Sequence, residues 1–341
     1  MAFQDSMAEA LRLTRAGDLS GAAALLRSAL DPGMSRGTQN DPIDLVPERV
    51  SSAAKPGAPA GRFEEHHYRG SEGSIGYWLY RPAQYAAGMP LVVMLHGCTQ
   101  SPEDFARGTG MNRLADRFGF VVAYPQQSPA AHPQKCWNWF KPGDQRRDRG
   151  EPALLAAITR EVIARHGVDA DRVYVAGLSA GGAAAAILAS EYPDIYAAVG
   201  IHSGLACGAA RDLPSALAAM QRGGGAAATG RGGRRFIPVI TFHGDRDTTV
   251  HEVNSREIVA AASAAAGVPL TVEVEEDGRG GRRYRRESSA DPQGTVLIEQ
   301  WTISGSGHAW SGGDRTGSYT DPDGPDASGE MVRFFLQRKR G

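Results

Sequence analysis

Long apolar runs are missing from this sequence. Nowhere in its 341 residues is there a stretch approaching the ~20 residues that a membrane-spanning helix requires, so no span is expected. A surplus of either charge is missing too. Lys and Arg number 37 against 38 Asp and Glu, and a chain so balanced has no field that would gather nucleic acid or an anionic membrane. The densest basic stretch, Arg279 to Arg286, lies beside Glu275, Glu276 and Asp277 and reads as the solvated tip of a hairpin. The first residues carry Asp5 and Glu9 and lack a basic segment followed by an apolar one, so no secretory signal is read there. Cysteine is scarce: Cys98, Cys136 and Cys207 are too few and too scattered for a disulfide framework or a zinc site. No H-E-x-x-H pair occurs, and neither a metal nor a cofactor is expected. Together these absences point to a reducing, cytoplasmic compartment, taking residue 1 as the natural start.

What is present divides in two. Over residues 1–30, Met7, Ala10, Leu11 and Leu13 recur at helical spacing, Gly17-Asp18 breaks the pattern, and Ala22 to Leu30 resumes it. This predicts a short helical hairpin, read as a packing or dimerisation appendage through which the chain would form a homodimer. Residues 31–61 hold Pro32, Pro42, Pro47, Pro56 and Pro59 among small polar residues and read as a linker. From residue 62 to 341 the pattern is that of one catalytic domain. Apolar runs of strand length recur at Pro90–Leu95, Phe120–Tyr124, Val173–Ala176, Ala197–Ile201 and Ile237–Phe242, and a further strand is read at Val296–Ile303. Runs without alternation suit strands covered on both faces, as in a parallel sheet. Helical stretches separate them, at Glu151–His166, Ala183–Glu191 and Glu252–Ala265, with Asp326 and Ser328 as candidate caps of a last helix. Strands alternating with helices imply an α/β protein with a mostly parallel, doubly wound sheet.

The sharpest motif is Gly177-Leu178-Ser179-Ala180-Gly181, between the apolar strand ending at Ala176 and an Ala-rich helix. A serine on a strand-to-helix turn has its hydroxyl held clear of the sheet, and the crowded backbone there requires small neighbours. The hydroxyl becomes a competent nucleophile only with a histidine to take its proton and a carboxylate to orient that histidine. In chain order these partners follow the serine. His308, in Ser304-Gly-Ser-Gly-His308, comes just after the strand ending at Ile303. For the acid, Asp245 and Asp247 compete in the turn after Phe242. Asp245 lies within the His243-Gly244 turn, where a short carboxylate bonds to nearby amides; Asp247 comes after it and is the better placed. His202 and His243 end strands and read as supporting residues, and His96 as structural.

A tetrahedral intermediate needs backbone donors. The residue after the nucleophile, Ala180, supplies one, and the loop Leu95-His96-Gly97-Cys98 supplies the amide of Cys98. Cys98 is read in this backbone role rather than as a nucleophile, since no base partners it; a Cys98–Cys136 disulfide is the alternative that export would allow. The aromatic cluster Cys136-Trp137-Asn138-Trp139-Phe140 and the nearby Trp310 are read two ways with equal weight. They line an apolar substrate cleft, or they form a small core that pins the loop.

Taken together, LHGCTQ (95–100), CWNWF (136–140), GLSAGG (177–182), HGDRDTTV (243–250), GSGHAWSGG (305–313) and SYTDPDGPDAS (318–328) resemble the poly(3-hydroxybutyrate) depolymerase family of esterases. Feruloyl and acetylxylan esterases are similar at lower specificity. The resemblance runs from about residue 65 to the end. It implies an α/β-hydrolase fold, a triad of Ser179, Asp247 and His308, oxyanion donors at Cys98 and Ala180, and substrate contact by the tryptophans of CWNWF. It also implies an acyl-enzyme acting on 3-hydroxyalkanoate esters or other short-chain esters. Many family members are extracellular, which is the alternative to the cytoplasmic expectation. The competing functions are a feruloyl or acetylxylan-type esterase and a non-catalytic binding protein that keeps the scaffold.

Overall fold

The computed structural model describes residues 61–225, 235–278 and 281–340. The chain divides into two units, Met1–Ala60 and Gly61–Gly341; the hairpin expected over 1–30 and nearly all of the linker lie outside the described residues. The second unit is built on a ten-stranded sheet in the order β1-β2-β4-β3-β5-β6-β7-β10-β9-β8. Its centre is six parallel strands: β4 (Val121–Pro125), β3 (Leu91–Leu95), β5 (Val173–Leu178), β6 (Ala198–His202), β7 (Val239–Gly244) and β10 (Val296–Ile303). These are the apolar runs of the sequence, with ends moved by one or two residues. Every residue of β3 to β7 is buried, which is why those segments need no polar alternation. The fold is that of an α/β-hydrolase.

Four strands escaped the criterion of continuous apolarity. β1 (Arg62–Gly70) and β2 (Gly73–Arg81) form an antiparallel hairpin on one edge. β8 (Thr271–Asp277) and β9 (Tyr284–Ala290) form another beyond β10. β8 is exposed along nearly its whole length, and Arg286 is paired with Glu275 across the hairpin. Of the basic stretch, Arg285 and Arg286 thus belong to β9 of this hairpin, and Arg282 pairs with Asp321. A further two-stranded ladder, β11 (Trp310–Ser311) with β12 (Thr320–Asp321), ties the loop after β10 to itself.

The helices are α1 (Pro102–Thr109), α2 (Met111–Phe118), α3 (Gly150–His166), α4 (Ala180–Glu191), α5 (Leu213–Arg222), α6 (Val253–Ala266) and α7 (Ala327–Leu336). Of the two caps expected for α7, Asp326 accepts from the Gly329 amide at 2.9 Å. Ser328 instead donates its hydroxyl to the Thr109 carbonyl at 2.7 Å. The helix packs Met331, Phe334 and Phe335 into the core, with Phe335 stacked on Tyr174 at 5.0 Å between centroids. Gly200 of β6 permits this approach: a Cβ there would lie 2.7 Å from Met331 Sδ. Among the described residues no helix is long and apolar enough to cross a membrane, and no group of three or more His, Cys, Asp or Glu is placed to hold a metal.

Candidate active site

Because the central strands run parallel, their carboxyl ends emerge together. Leu178 of β5 is in register with His202 of β6, and His202 with Phe242 of β7; one residue on, His243 pairs with Thr302 of β10. Ser179, Asp247 and His308 all lie on loops leaving this edge, which is where open α/β sheets bind ligands.

Ser179 is the single residue between β5 and α4. Its backbone is held at φ 58°, ψ −120°, a conformation that a non-glycine residue adopts at a cost of about 1–3 kcal/mol. The turn is fixed from both sides: the Ser179 amide donates to the His202 carbonyl, and its carbonyl accepts from Ala183, both at 2.9 Å. Small neighbours are mandatory here. A Cβ on Gly181 would lie 2.0 Å from the Leu95 carbonyl oxygen, so α4 can start this close to β3 only with glycine at that position. The same approach brings the loop after β3 beside the serine.

In that loop, residues 96–100, three amides are engaged. Gly97 donates to Gln100 Oε1 at 2.9 Å, Thr99 to Gln134 O at 2.6 Å and Gln100 to Gly97 O at 3.4 Å. Among the described residues the Cys98 amide has no protein acceptor, so it is available to an oxyanion. Ala180 opens α4, and a first-turn amide has no carbonyl partner within its own helix.

On the opposite side, Asp247 Oδ2 accepts from His308 Nδ1 at 2.6 Å. Its other oxygen accepts from the amides of Thr249 and Val250, each at 2.9 Å. Burial raises the Asp247 carboxyl, but the His308 hydrogen bond, the His243 ring and the Val250 amide outweigh it and hold the group below the usual carboxylate value. Asp245 has a different task. Its Oδ1 accepts from the Gly305 amide at 2.7 Å, while the Arg246 amide donates to Ser306 O at 3.0 Å. These bonds stitch the loop after β7 to the loop after β10, and so place His308 against Asp247.

Three other buried histidines, His243, His202 and His96, bond within the fold. His243 Nε2 donates to Val250 O at 2.7 Å and lies 3.5 Å from Asp247 Oδ2; burial keeps its ring below the ordinary histidine value despite that carboxylate. His202 Nε2 accepts from the Ser311 amide at 3.0 Å, its ring stacked on Trp310, and burial holds it well below the ordinary value. His96 accepts from the Gln127 amide at 3.1 Å, and burial takes it down to about 4.

Two readings that the sequence left open each take one side here. Scarce as the cysteines are, Cys98 and Cys136 form a disulfide, which welds the loop after β3 to the aromatic loop. The tryptophans read as cleft-lining are buried. Trp137 is wholly inaccessible and donates Nε1 to His96 O at 3.0 Å. Trp310, 1% exposed, donates to Ser328 Oγ at 2.9 Å and meets Phe105 edge-on. Trp139 is nearly covered and packs edge-on against Phe140. These rings are apolar mass under the loops, and the indole N–H groups of Trp137 and Trp310 are satisfied inside the fold.

Sequence reasoning missed the polar residues that hold the loops. Glu151, at the start of α3, accepts from the Asn138 amide at 2.7 Å and from Gln127 Nε2 at 2.6 Å. Gln127 Nε2 also donates to Cys136 O at 3.1 Å. Gln100 Nε2 donates to Ser318 O at 3.1 Å, joining the loop after β3 to the one after β11. No local pattern marks such residues, since each partner is remote in the chain.

The fold defines the class, an α/β-hydrolase, and one sheet edge brings together a hydroxyl on a strained turn, a histidine bonded to a carboxylate and a loop amide without a protein acceptor. The family described as Esterase PHB depolymerase matches residues 75–273, more than half of the chain. This chain belongs to that family of esterases and depolymerases. It is 35% identical over 246 residues to poly(3-hydroxyalkanoate) depolymerase C of Paucimonas lemoignei, covering 69% of this chain and 58% of that protein. It is 31% identical over 221 residues to feruloyl esterase B of Thermothelomyces thermophilus, covering 59% of this chain and 74% of that protein. Acetyl xylan esterase from Aspergillus awamori shares the fold, with a TM-score of 0.63 at 19% identity over 80% of this chain and 99% of that one. The chain spans less than two-thirds of the length of the depolymerase it matches.

Proposed function

We propose that this chain hydrolyses carboxylic esters through an acyl-enzyme on Ser179, and that its substrates are 3-hydroxyalkanoate oligomers or other short-chain esters. The observation that carries the reading is the 2.6 Å bond between His308 Nδ1 and Asp247 Oδ2, at the same sheet edge as the strained Ser179 turn. With Nδ1 committed to Asp247, Nε2 is the ring nitrogen that takes the Ser179 proton as Oγ bonds to the ester carbonyl carbon. The carbonyl oxygen, now negative, is received by the amides of Cys98 and Ala180. Collapse breaks the bond to the alkoxy oxygen, which leaves as the alcohol with the proton from His308. Water then repeats the sequence on the acyl-enzyme, with His308 again taking the proton, and releases the acid.

A second reading, a feruloyl or acetylxylan-type esterase, is favoured by the feruloyl esterase relative, three-quarters of whose length this chain covers. A binding protein without catalysis has no physical need for a strained serine and a buried acid together. The disulfide beside the oxyanion loop supports an oxidising compartment over the cytoplasm. Labelling with a fluorophosphonate, in wild type and Ser179→Ala, tests the nucleophile. Side-by-side rates on p-nitrophenyl esters, 3-hydroxybutyrate oligomers and methyl ferulate test the substrate. An unlabelled wild type, or a Ser179→Ala variant that turns over normally, would refute the reading.

A further inference from the structure

With the tryptophans buried, the aromatic ring that remains at the surface beside the oxyanion loop is that of Tyr319, 46% exposed. Its backbone belongs to the loop that follows His308: its carbonyl accepts from the Trp310 amide at 2.7 Å, one step before the β11–β12 ladder. Its hydroxyl reaches the other side of the site and meets Thr99 Oγ1 at 3.3 Å, next in sequence to Cys98. The side chain therefore spans from the histidine loop to the oxyanion loop. Ser318 reinforces the bridge, its amide donating to Asp104 Oδ1 at 3.0 Å while its carbonyl takes Gln100 Nε2.

Both ends of this contact are strained. Thr99 has φ 68° and Tyr319 φ 51°, and with Ser179 they make three of the six non-glycine residues at positive φ among the described residues. Strain of this kind persists where surrounding structure enforces it, and it gathers at functional sites. The hydroxyl protons also have a direction. Thr99 Oγ1 donates its single proton to Cys98 O at 2.6 Å, so the proton between Thr99 and Tyr319 comes from the tyrosine. Tyr319 Oη is left with lone pairs toward solvent. It can accept from a substrate hydroxyl, while the ring offers an apolar wall.

From this geometry we propose that Tyr319 is a substrate-contacting specificity residue, selecting esters that carry a hydroxyl group near the scissile carbonyl over plain acyl esters. The proposal rests on the ester-hydrolase reading above and names the substrate feature that the same site recognises.

The test compares methyl 3-hydroxybutyrate with methyl butyrate in wild type, Tyr319→Phe and Tyr319→Gly. Tyr319→Phe keeps the wall and removes the acceptor. The kcat/KM ratio of hydroxy ester to plain ester should fall about 3- to 10-fold, carried by KM for the hydroxy ester, as the loss of one hydrogen bond implies. Tyr319→Gly removes the wall from a backbone that glycine adopts without strain; it should raise KM for both esters, with no drop in melting temperature. A selectivity ratio unchanged in both variants, or an equal loss on both esters in Tyr319→Phe, overturns the proposal while leaving ester hydrolysis intact. A wild type that cleaves no ester and takes no fluorophosphonate removes the parent reading, and this proposal with it.

Discussion

Asp247 and His308, 61 residues apart in sequence, meet at 2.6 Å, while Asp245, two residues earlier, turns away to hold the Gly305 amide. Two carboxylates in one turn have thus separated into a partner for the histidine and a tether for the loop that carries it. Asp247→Asn should lower kcat by about 10⁴-fold, because an amide cannot hold the ring in the tautomer that accepts the serine proton. Asp245→Asn retains an oxygen for the Gly305 amide, so its effect should be on stability, about 1–2 kcal/mol at most. Measuring kcat and melting temperature for both decides between them. A catalytic collapse confined to Asp245→Asn would reverse the assignment.

The Cys98–Cys136 bond closes a loop with a sequence separation of 38 directly behind the proposed oxyanion amide. Loop-closure entropy puts its contribution at roughly 4 kcal/mol. Cys136→Ser, or reduction of the wild type, should lower the melting temperature accordingly, and kcat should fall as the Cys98 amide loses its anchor. Thiol titration of unreduced, denatured protein should count one thiol per chain; a count of three would show that the bond does not form.

Glu151 makes stability depend on pH. Burial pushes its carboxyl up to about 7, against the opposing hydrogen bonds from Asn138 and Gln127. A carboxyl raised in the folded state binds its proton more tightly there than in the unfolded chain. Its contribution therefore weakens as pH rises from about 4.5 to about 7 and is level above that. The swing is on the order of 1–3 kcal/mol. Glu151→Gln cannot titrate, so the stability difference between wild type and variant, followed by urea unfolding across this range, should move against the wild type as pH rises. Parallel profiles would show that Glu151 titrates normally.

Much of the site was legible in the amino-acid sequence. Ser179 and His308 stand at the ends of segments whose apolar runs announce strands, and strand period and turn chemistry are properties of a few consecutive residues. The same locality explains what was missed. The edge strands β1, β2, β8 and β9 carry mixed polar sequences because at least part of each is open to water, so no continuous apolar run marked them. The aromatic loop was ambiguous because a tryptophan that lines a cleft and one that props a loop have the same neighbours in sequence.

The chain by itself determined the alternation of buried strands and helices, the strand-to-helix turn at Ser179 and the glycine-rich loop bearing His308, since each is encoded within a short window. Tertiary structure decided that Asp247 meets His308 while Asp245 tethers the loop, that Cys98 pairs with Cys136, that Trp137 and Trp310 are interior, and that Tyr319 reaches Thr99. Each of these is a contact between residues from 18 to 220 positions apart. Such contacts are set by the order in which strands lie side by side in the sheet and by the loops those strands deliver to one edge, a relation that no local spacing records.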